Sequence, residues 1–318
     1  MKEYKSHFLS KDNSICMKGL AAICVMFGHY FESFPWYVGG WFHGFLWVGV
    51  FFFYSGYGLK ISAETKENYL EVFWKHKLKA VLLPYMIAAE AATVFCFFKY
   101  RLTWYEIVLG PILGFQYNKS LWYVIELFGL YIIFYLVQRF RPQSMERIMC
   151  VAYIIFVVCG VILDIGTWWY ISTSTFLMGI MYERVRAIIY KWNRLKYIVW
   201  GCFLLMYIVI VLNRARPIVF PWNTNYVLTL IYMIMIPLFV LTLNYLDFNF
   251  KGLAFHMLNG FGKISYDIYL WHMLVLWMCQ SIFEKNSLSC IIAVVATIIW
   301  AIVLKWSKQR IKIFSSVA

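Results

Sequence analysis

Cys16–Phe31 reads CMKGLAAICVMFGHYF, and the fold turns on this stretch. It is apolar except for Lys18 and His29. Eleven residues on a helix make about three turns, so the two side chains share one face roughly 16 Å apart. A cation within hydrocarbon costs at least about 2.5–3.5 kcal/mol, so such a pair is expected to face a cavity and to serve a function. The next apolar stretch, Gly49–Leu59, reads GVFFFYSGYGL.

Working outward, the whole chain has this character. Of its 318 residues 63% are hydrophobic and 21% aromatic, well above the roughly 45–50% apolar content of globular chains. The excess recurs in blocks of about 20 residues, the length that crosses a bilayer. The expectation is an all-α polytopic membrane helical bundle of about ten transmembrane helices. The first five are read as Ser14–Phe31, Trp41–Lys60, Leu78–Phe98, Leu121–Arg139 and Ile148–Ile165. The others are Trp168–Tyr182, Tyr197–Leu212, Asn225–Leu243, Ile264–Phe283 and Leu288–Trp306. Leu102–Phe115 reads as a re-entrant or interfacial helix. Residues 1–13 form a cytoplasmic N-terminal segment, 14–307 one membrane domain, and 308–318 a basic cytoplasmic tail. The N-terminus reads as a leader into a retained first helix, not as a cleaved signal peptide.

The net charge of +14 raises a nucleic-acid reading, and the placement of the charges excludes it. Lys and Arg cluster at span ends. With the N-terminus in the cytoplasm and ten alternating spans, 23 of the 29 fall on the cytoplasmic side. That is the positive-inside pattern, and it puts both termini in the cytoplasm. The eight cysteines form no CxxC or Cys/His spacing, so they read as small buried residues and no metal is expected. Trp and Tyr in the outer loops, such as FPWYVGGWFH, read as an interfacial belt or as platforms for stacking sugars.

Several residues carry chemistry. Lys18 reads as a snorkelling anchor or an anion-binding cation. His29 lies nearer the outer face, where a neutral imidazole serves as a general base. Glu90 and Glu126 fall inside spans and need partners; either would orient His29 or neutralise a lysine, with Glu126 favoured slightly because it follows Trp122. Asp267 and His272, five apart, do not face each other squarely. Ser55, beside Gly56 and Gly58, reads first as part of a close helix crossing.

These stretches resemble the membrane acyltransferase 3 family in family order. Lys18, ten residues and His29 stand for an Arg, ten residues and a His. Gly49, Val50, Phe52, Phe53, Ser55, Gly56 and Tyr57 match the end of the second helix. FWKHKLKAVLLPY follows, with Lys75, Lys77, Lys79, Pro84 and Tyr85; then Leu121, Trp122 and Tyr123; then ISYDIYLWH at Ile264–His272. The resemblance implies a multi-pass plasma-membrane acyltransferase that moves an acetyl or similar acyl group onto an extracytoplasmic or lipid-linked glycan. Acetyl-CoA would be the donor, and bilayer lipid and the glycan the partners. It implies His29 and Lys18 as catalytic residues, and Glu126, read from its place in the fourth span, joins them as a candidate. Lys18, Lys75, Lys77 and Lys79 would hold the donor, and Ser55, Tyr57, Trp122, Tyr266, Tyr269 and His272 the substrate. His29 acts either as base or as acyl carrier. Lys18 departs from the family's Arg and cannot make its bidentate contact. The alternatives are a transporter or flippase, and an inactive family member serving as a scaffold.

Overall fold

The computed structural model describes residues 7–31, 44–100, 103–192, 194–215 and 224–311. The outer aromatic stretches 34–43 and 217–223, and residues 1–6 and 312–318 of the two terminal segments, lie outside the described residues. What is described is almost wholly helical, with no strand among those residues. The first helices are α1 (Lys11–Phe31), α2 (Gly44–Thr65), α3 (Tyr69–Lys77), α4 (Leu83–Tyr100), α5 (Trp104–Val108) and α6 (Gly110–Tyr117). Then come α7 (Trp122–Phe140), α8 (Met145–Ile162), α9 (Ser174–Ile180), α10 (Tyr182–Lys191) and α11 (Leu195–Ala215). The last are α12 (Thr224–Leu246), α13 (Gly252–Gly262), α14 (Ser265–Phe283) and α15 (Ser287–Arg310). Eight helical stretches of the described residues are long and apolar enough to cross a membrane. With them stands α14, which carries Asp267 and His272 in its 19 residues.

One expected span takes a different form. Trp168–Tyr182 is a 3-10 turn, Thr167–Trp169, followed by the seven-residue α9. Seven helical residues rise only about 10 Å. The cause is the run Ser172-Thr173-Ser174-Thr175, whose hydroxyls bond to backbone and compete with a regular helix. Ser172 and Thr175 donate to the carbonyls of Phe45 and Gly49 on α2, at 3.1 and 2.8 Å. The chain nevertheless returns to the side on which α8 began, because Arg184 pairs with Glu146 at 2.8 Å. The alternation of spans therefore survives the short helix.

The stretch expected as an interfacial helix is two short ones, α5 and α6. Thr103 and Glu106 form a capping box that starts α5, and the Tyr117 hydroxyl donates to Glu106 at 2.8 Å. Between α3 and α4 the backbone widens into a π turn over Leu78–Leu82. Pro84 follows at once and supplies no N–H to the preceding turn.

The centre is made of close helix crossings and aromatic rings. Gly56 of α2 lies against the carbonyl of Phe176, and Gly179 of α9 against the backbone of Phe53 and Tyr57. Small residues at such crossings let two backbones touch, and packing is the main attraction between helices in lipid. Phe52, Phe53, Phe134 and Phe176 are fully enclosed there. Gly19 and Gly262 make the same kind of contact between α1 and α13.

At the cytoplasmic end Asp267 of α14 pairs with Lys308 of α15. Asp267 is buried, so removing its partner strands a carboxylate. Such losses cost about 3–5 kcal/mol, more than the pair itself contributes. Lys308→Met is therefore expected to lower the Tm in detergent by several degrees, and Lys308→Met with Asp267→Asn to recover part of it. Differential scanning fluorimetry reads both, and equal losses in the two variants would count against the pairing.

Candidate functional site

Two polar regions lie along α1, one at each end of its buried face. Toward the outer end, the rings of His29 and His272 stack with centroids 5.3 Å apart and an interplanar angle of 29°. His272 is completely buried. Its Nδ1 lies 2.8 Å from the carbonyl of Tyr269 and 3.2 Å from that of Ile268. Carbonyl oxygens only accept, so Nδ1 carries the proton and Nε2 keeps a lone pair. That Nε2 has no hydrogen-bond partner among the described residues. The ring is held from outside as well. Tyr30 donates to the His272 carbonyl at 2.7 Å and, with its one hydrogen so used, accepts from Thr297 at 2.8 Å. His29 is partly exposed and makes no hydrogen bond to a described residue. It is an imidazole without a hydrogen-bond partner among the described residues, backed by a fixed one.

Toward the cytoplasm a cavity of about 140 Å³ is walled by Lys18, Ser55, Tyr123, Tyr131, Tyr266 and Tyr269, among others. Lys18 enters from α1, with its ammonium 5.9 Å from the centre of the Tyr54 ring. Ser55 lies within hydrogen-bonding reach of the Tyr123 and Tyr131 hydroxyls. Tyr266 donates to the Val81 carbonyl in the π turn at 2.8 Å, which ties α14 to that turn. Lys77 sits 4.5 Å over the Tyr131 ring, on the same wall, where a cation meets the negative face of the π system.

Tyr269 stands between the two regions. Its ring lines the cavity and lies 5.9 Å from the His272 ring. Its hydroxyl donates to the Ser120 carbonyl at the start of α7. The rings of Tyr123 and Phe51 pack edge-on against it at 5.2 and 6.2 Å.

The residues singled out from sequence thus divide. Lys18, Ser55, Tyr266 and Tyr269 meet at the inner cavity, with Lys77 beside it, and His29 meets His272 at the outer end. Lys75 is exposed and Lys79 half-buried on the helical run below. Tyr57 stacks on Phe53 at 6.2 Å, and Trp122 packs edge-on to Trp169 at 6.1 Å; neither lines the inner cavity. Glu126 accepts from Thr173 and borders a separate cavity of about 270 Å³ between α7 and α8. No contact among the described residues joins it to His29. Glu90 also keeps an unpartnered oxygen, beside Gly110.

Tyr30, Ser120, Tyr131 and Thr297 are additions that the structure makes to the residues read from sequence. Tyr123, Leu127 and Tyr131 follow one another at i, i+4 and i+8, the spacing of a single helix face. That period was available in the sequence. Tyr30 and Thr297 carried no comparable signal.

Among the described residues no group of three or more His, Cys, Asp or Glu is arranged to hold a metal ion. A family model described as an acyltransferase domain matches residues 12–306. No curated protein and no solved structure matches the chain.

Proposed function

The chain belongs to the acyltransferase 3 family, and on that premise we propose that it transfers an acetyl or similar acyl group across the plasma membrane. The donor is a cytoplasmic coenzyme A thioester and the acceptor a hydroxyl of an extracytoplasmic or lipid-linked glycan. The observation that carries the reading is the alignment of Lys18, the tyrosine-walled cavity, Tyr269 and the His29–His272 pair along one face of α1.

Lys18 and Lys77 suit the phosphates of the donor at the inner mouth, as compact cations do. A cavity of this small volume, lined by aromatic rings and hydroxyls, suits the narrow pantetheine arm. Lys18 and His29 lie about 16 Å apart along the helix, a span for that arm to bridge with its thioester at the outer end. There His29 takes the proton of the acceptor hydroxyl. The freed oxygen attacks the thioester carbonyl, the C–S bond breaks, and the proton passes to the departing thiolate. The backbone bonds to Nδ1 hold His272 neutral in one tautomer, so no second positive charge stands beside the imidazolium that forms.

Purified protein in nanodiscs tests the donor half directly. Coenzyme A is expected to bind from the cytoplasmic side, and Lys18→Ala to weaken its Kd about tenfold, the 1.4 kcal/mol of one charge-assisted contact. Lys18→Arg should retain the affinity. Failure of the wild type to bind coenzyme A would remove this donor, and equal Kd values in all three proteins would remove Lys18 from its site.

A further inference from the structure

We propose that the cleft between the end of α8, the Thr167–Trp169 turn and the start of α12 is a saccharide subsite. It would hold part of the acceptor several sugar units from the reacting hydroxyl. The inference rests on the acceptor being a glycan, as argued above, and adds where the rest of that glycan lies.

The cleft has a volume of about 600 Å³, within the usual range of ligand pockets. The topology puts it on the outer face, where α8 ends and α12 begins. Trp168, Tyr170, Tyr226 and Tyr232 contribute rings, and Asp164, Thr167 and Thr229 contribute carboxylate and hydroxyl oxygens. Two of these rings are free to receive a ligand: Trp168 is 37% exposed and Tyr226 46% exposed. The Trp168 indole lies flat enough on Gly166 that no Cβ would fit between them. That gives a rigid platform. Tyr170 and Tyr232 are fixed beneath, the first against Gly160 and the second edge-on to Phe45 at 6.2 Å.

Asp164 holds a left-handed backbone, φ 49°, at the end of α8. Asp tolerates that conformation better than most residues, and it turns the chain sharply into the cleft. Its carboxylate makes no hydrogen bond or ion pair with a described residue.

Aromatic faces beside a carboxylate and hydroxyls are the chemistry that recognises a pyranose. The ring's C–H face stacks on indole or phenol while its hydroxyls donate to oxygen acceptors. Other cavities contrast with this one. The space bordered by Phe95, Trp271, Leu274 and Trp300 is lined by apolar side chains throughout. It suits lipid and offers nothing to a sugar.

The placement also suits a chain. α12 packs on α2 and α2 on α1, so the cleft lies two helix spacings, about 16–20 Å laterally, from α1, the length of a few sugar units.

The test uses the protein in nanodiscs on an array of cell-surface glycans spanning neutral and acidic polysaccharides of varied linkage. Wild type is expected to bind at least one glycan, Trp168→Ala and Asp164→Asn to bind it about tenfold less tightly or worse, and Trp168→Phe to retain binding. Coenzyme A affinity, far from the cleft, serves as the measure of folding and should not change in any variant. Binding of no glycan by wild type, or binding that Trp168→Ala and Asp164→Asn leave unchanged, overturns the subsite. If coenzyme A binding persists in that case, the donor reading stands and only the subsite fails. If wild type binds neither, both fail together.

Discussion

His29→Ala is expected to lower kcat for acyl transfer by about 10³-fold while leaving the Kd for coenzyme A within about twofold. General bases contribute roughly 10²–10⁴-fold, and the absence of a hydrogen-bonded substitute near His29 puts the loss within that range. The neighbouring imidazole does not stand in for it. His272 is completely buried, with its Nδ1 committed to the Tyr269 and Ile268 carbonyls, so it reaches no acceptor. A drop in kcat without a change in donor Kd means that the lost interaction exists only at the reacting stage. His29 is partly exposed and free of hydrogen bonds to described residues, so the truncation opens no buried network and the variant should purify normally. Steady-state kinetics with any competent acceptor, beside donor titration, checks the result. A kcat within tenfold of wild type would remove His29 from the chemistry.

Gly179→Leu is expected to leave no folded protein at all. A Cβ at Gly179 would stand against the backbone of Phe53 and Tyr57, and no rotamer relieves a clash with backbone. The contact is reciprocal, since Gly56 meets the carbonyl of Phe176 one turn away. Pushing α2 and α9 apart would open the cluster of Phe52, Phe53 and Phe176, which are wholly enclosed. Overpacking of a rigid site costs about 1–3 kcal/mol even where side chains can move, and two backbones in contact leave less room to yield. Gly201→Leu is the matched control, because a Cβ there meets nothing within 4 Å. Fluorescence-detected size exclusion should show a monodisperse peak for Gly201→Leu and none for Gly179→Leu. Equal peaks would mean that the α2–α9 crossing is not needed for folding.

What was legible in the sequence follows from what a helix period encodes. Lys18 and His29 share a face of α1 because eleven residues make three turns, and that needed no partner to read. The apolar lengths mark most of the spans, and the run ISYDIYLWH marks α14. Pairing between distant helices is a different kind of information. His29 meets His272 because α1 packs on α14, and no property of either helix alone names the other. Lys77 reaches the Tyr131 ring while Lys75, two residues away on the same helix, faces the opposite side. Trp168–Tyr182 is apolar enough to look like a span, yet the hydroxyls of Ser172 and Thr175 draw the backbone onto α2. The weight that sequence gave to Glu126 came from its position after Trp122; in the fold its carboxylate meets Thr173 instead.

The Tyr269 partition bears on the energetics of the cell that houses this protein. A continuous wet path from Lys18 to the two imidazoles would be a proton wire about 16 Å long, roughly half of the hydrocarbon core, with titratable groups at both ends. Each elementary charge that leaked through it would dissipate about 2.3 kcal/mol per 100 mV of membrane potential. The phenol held on the Ser120 carbonyl, with Tyr123 and Phe51 packed against its ring, interrupts such a path with an aromatic plug. In this conformation the ring separates the ionisable groups at the two ends of the α1 face, and the acyl donor's arm would have to displace it to pass.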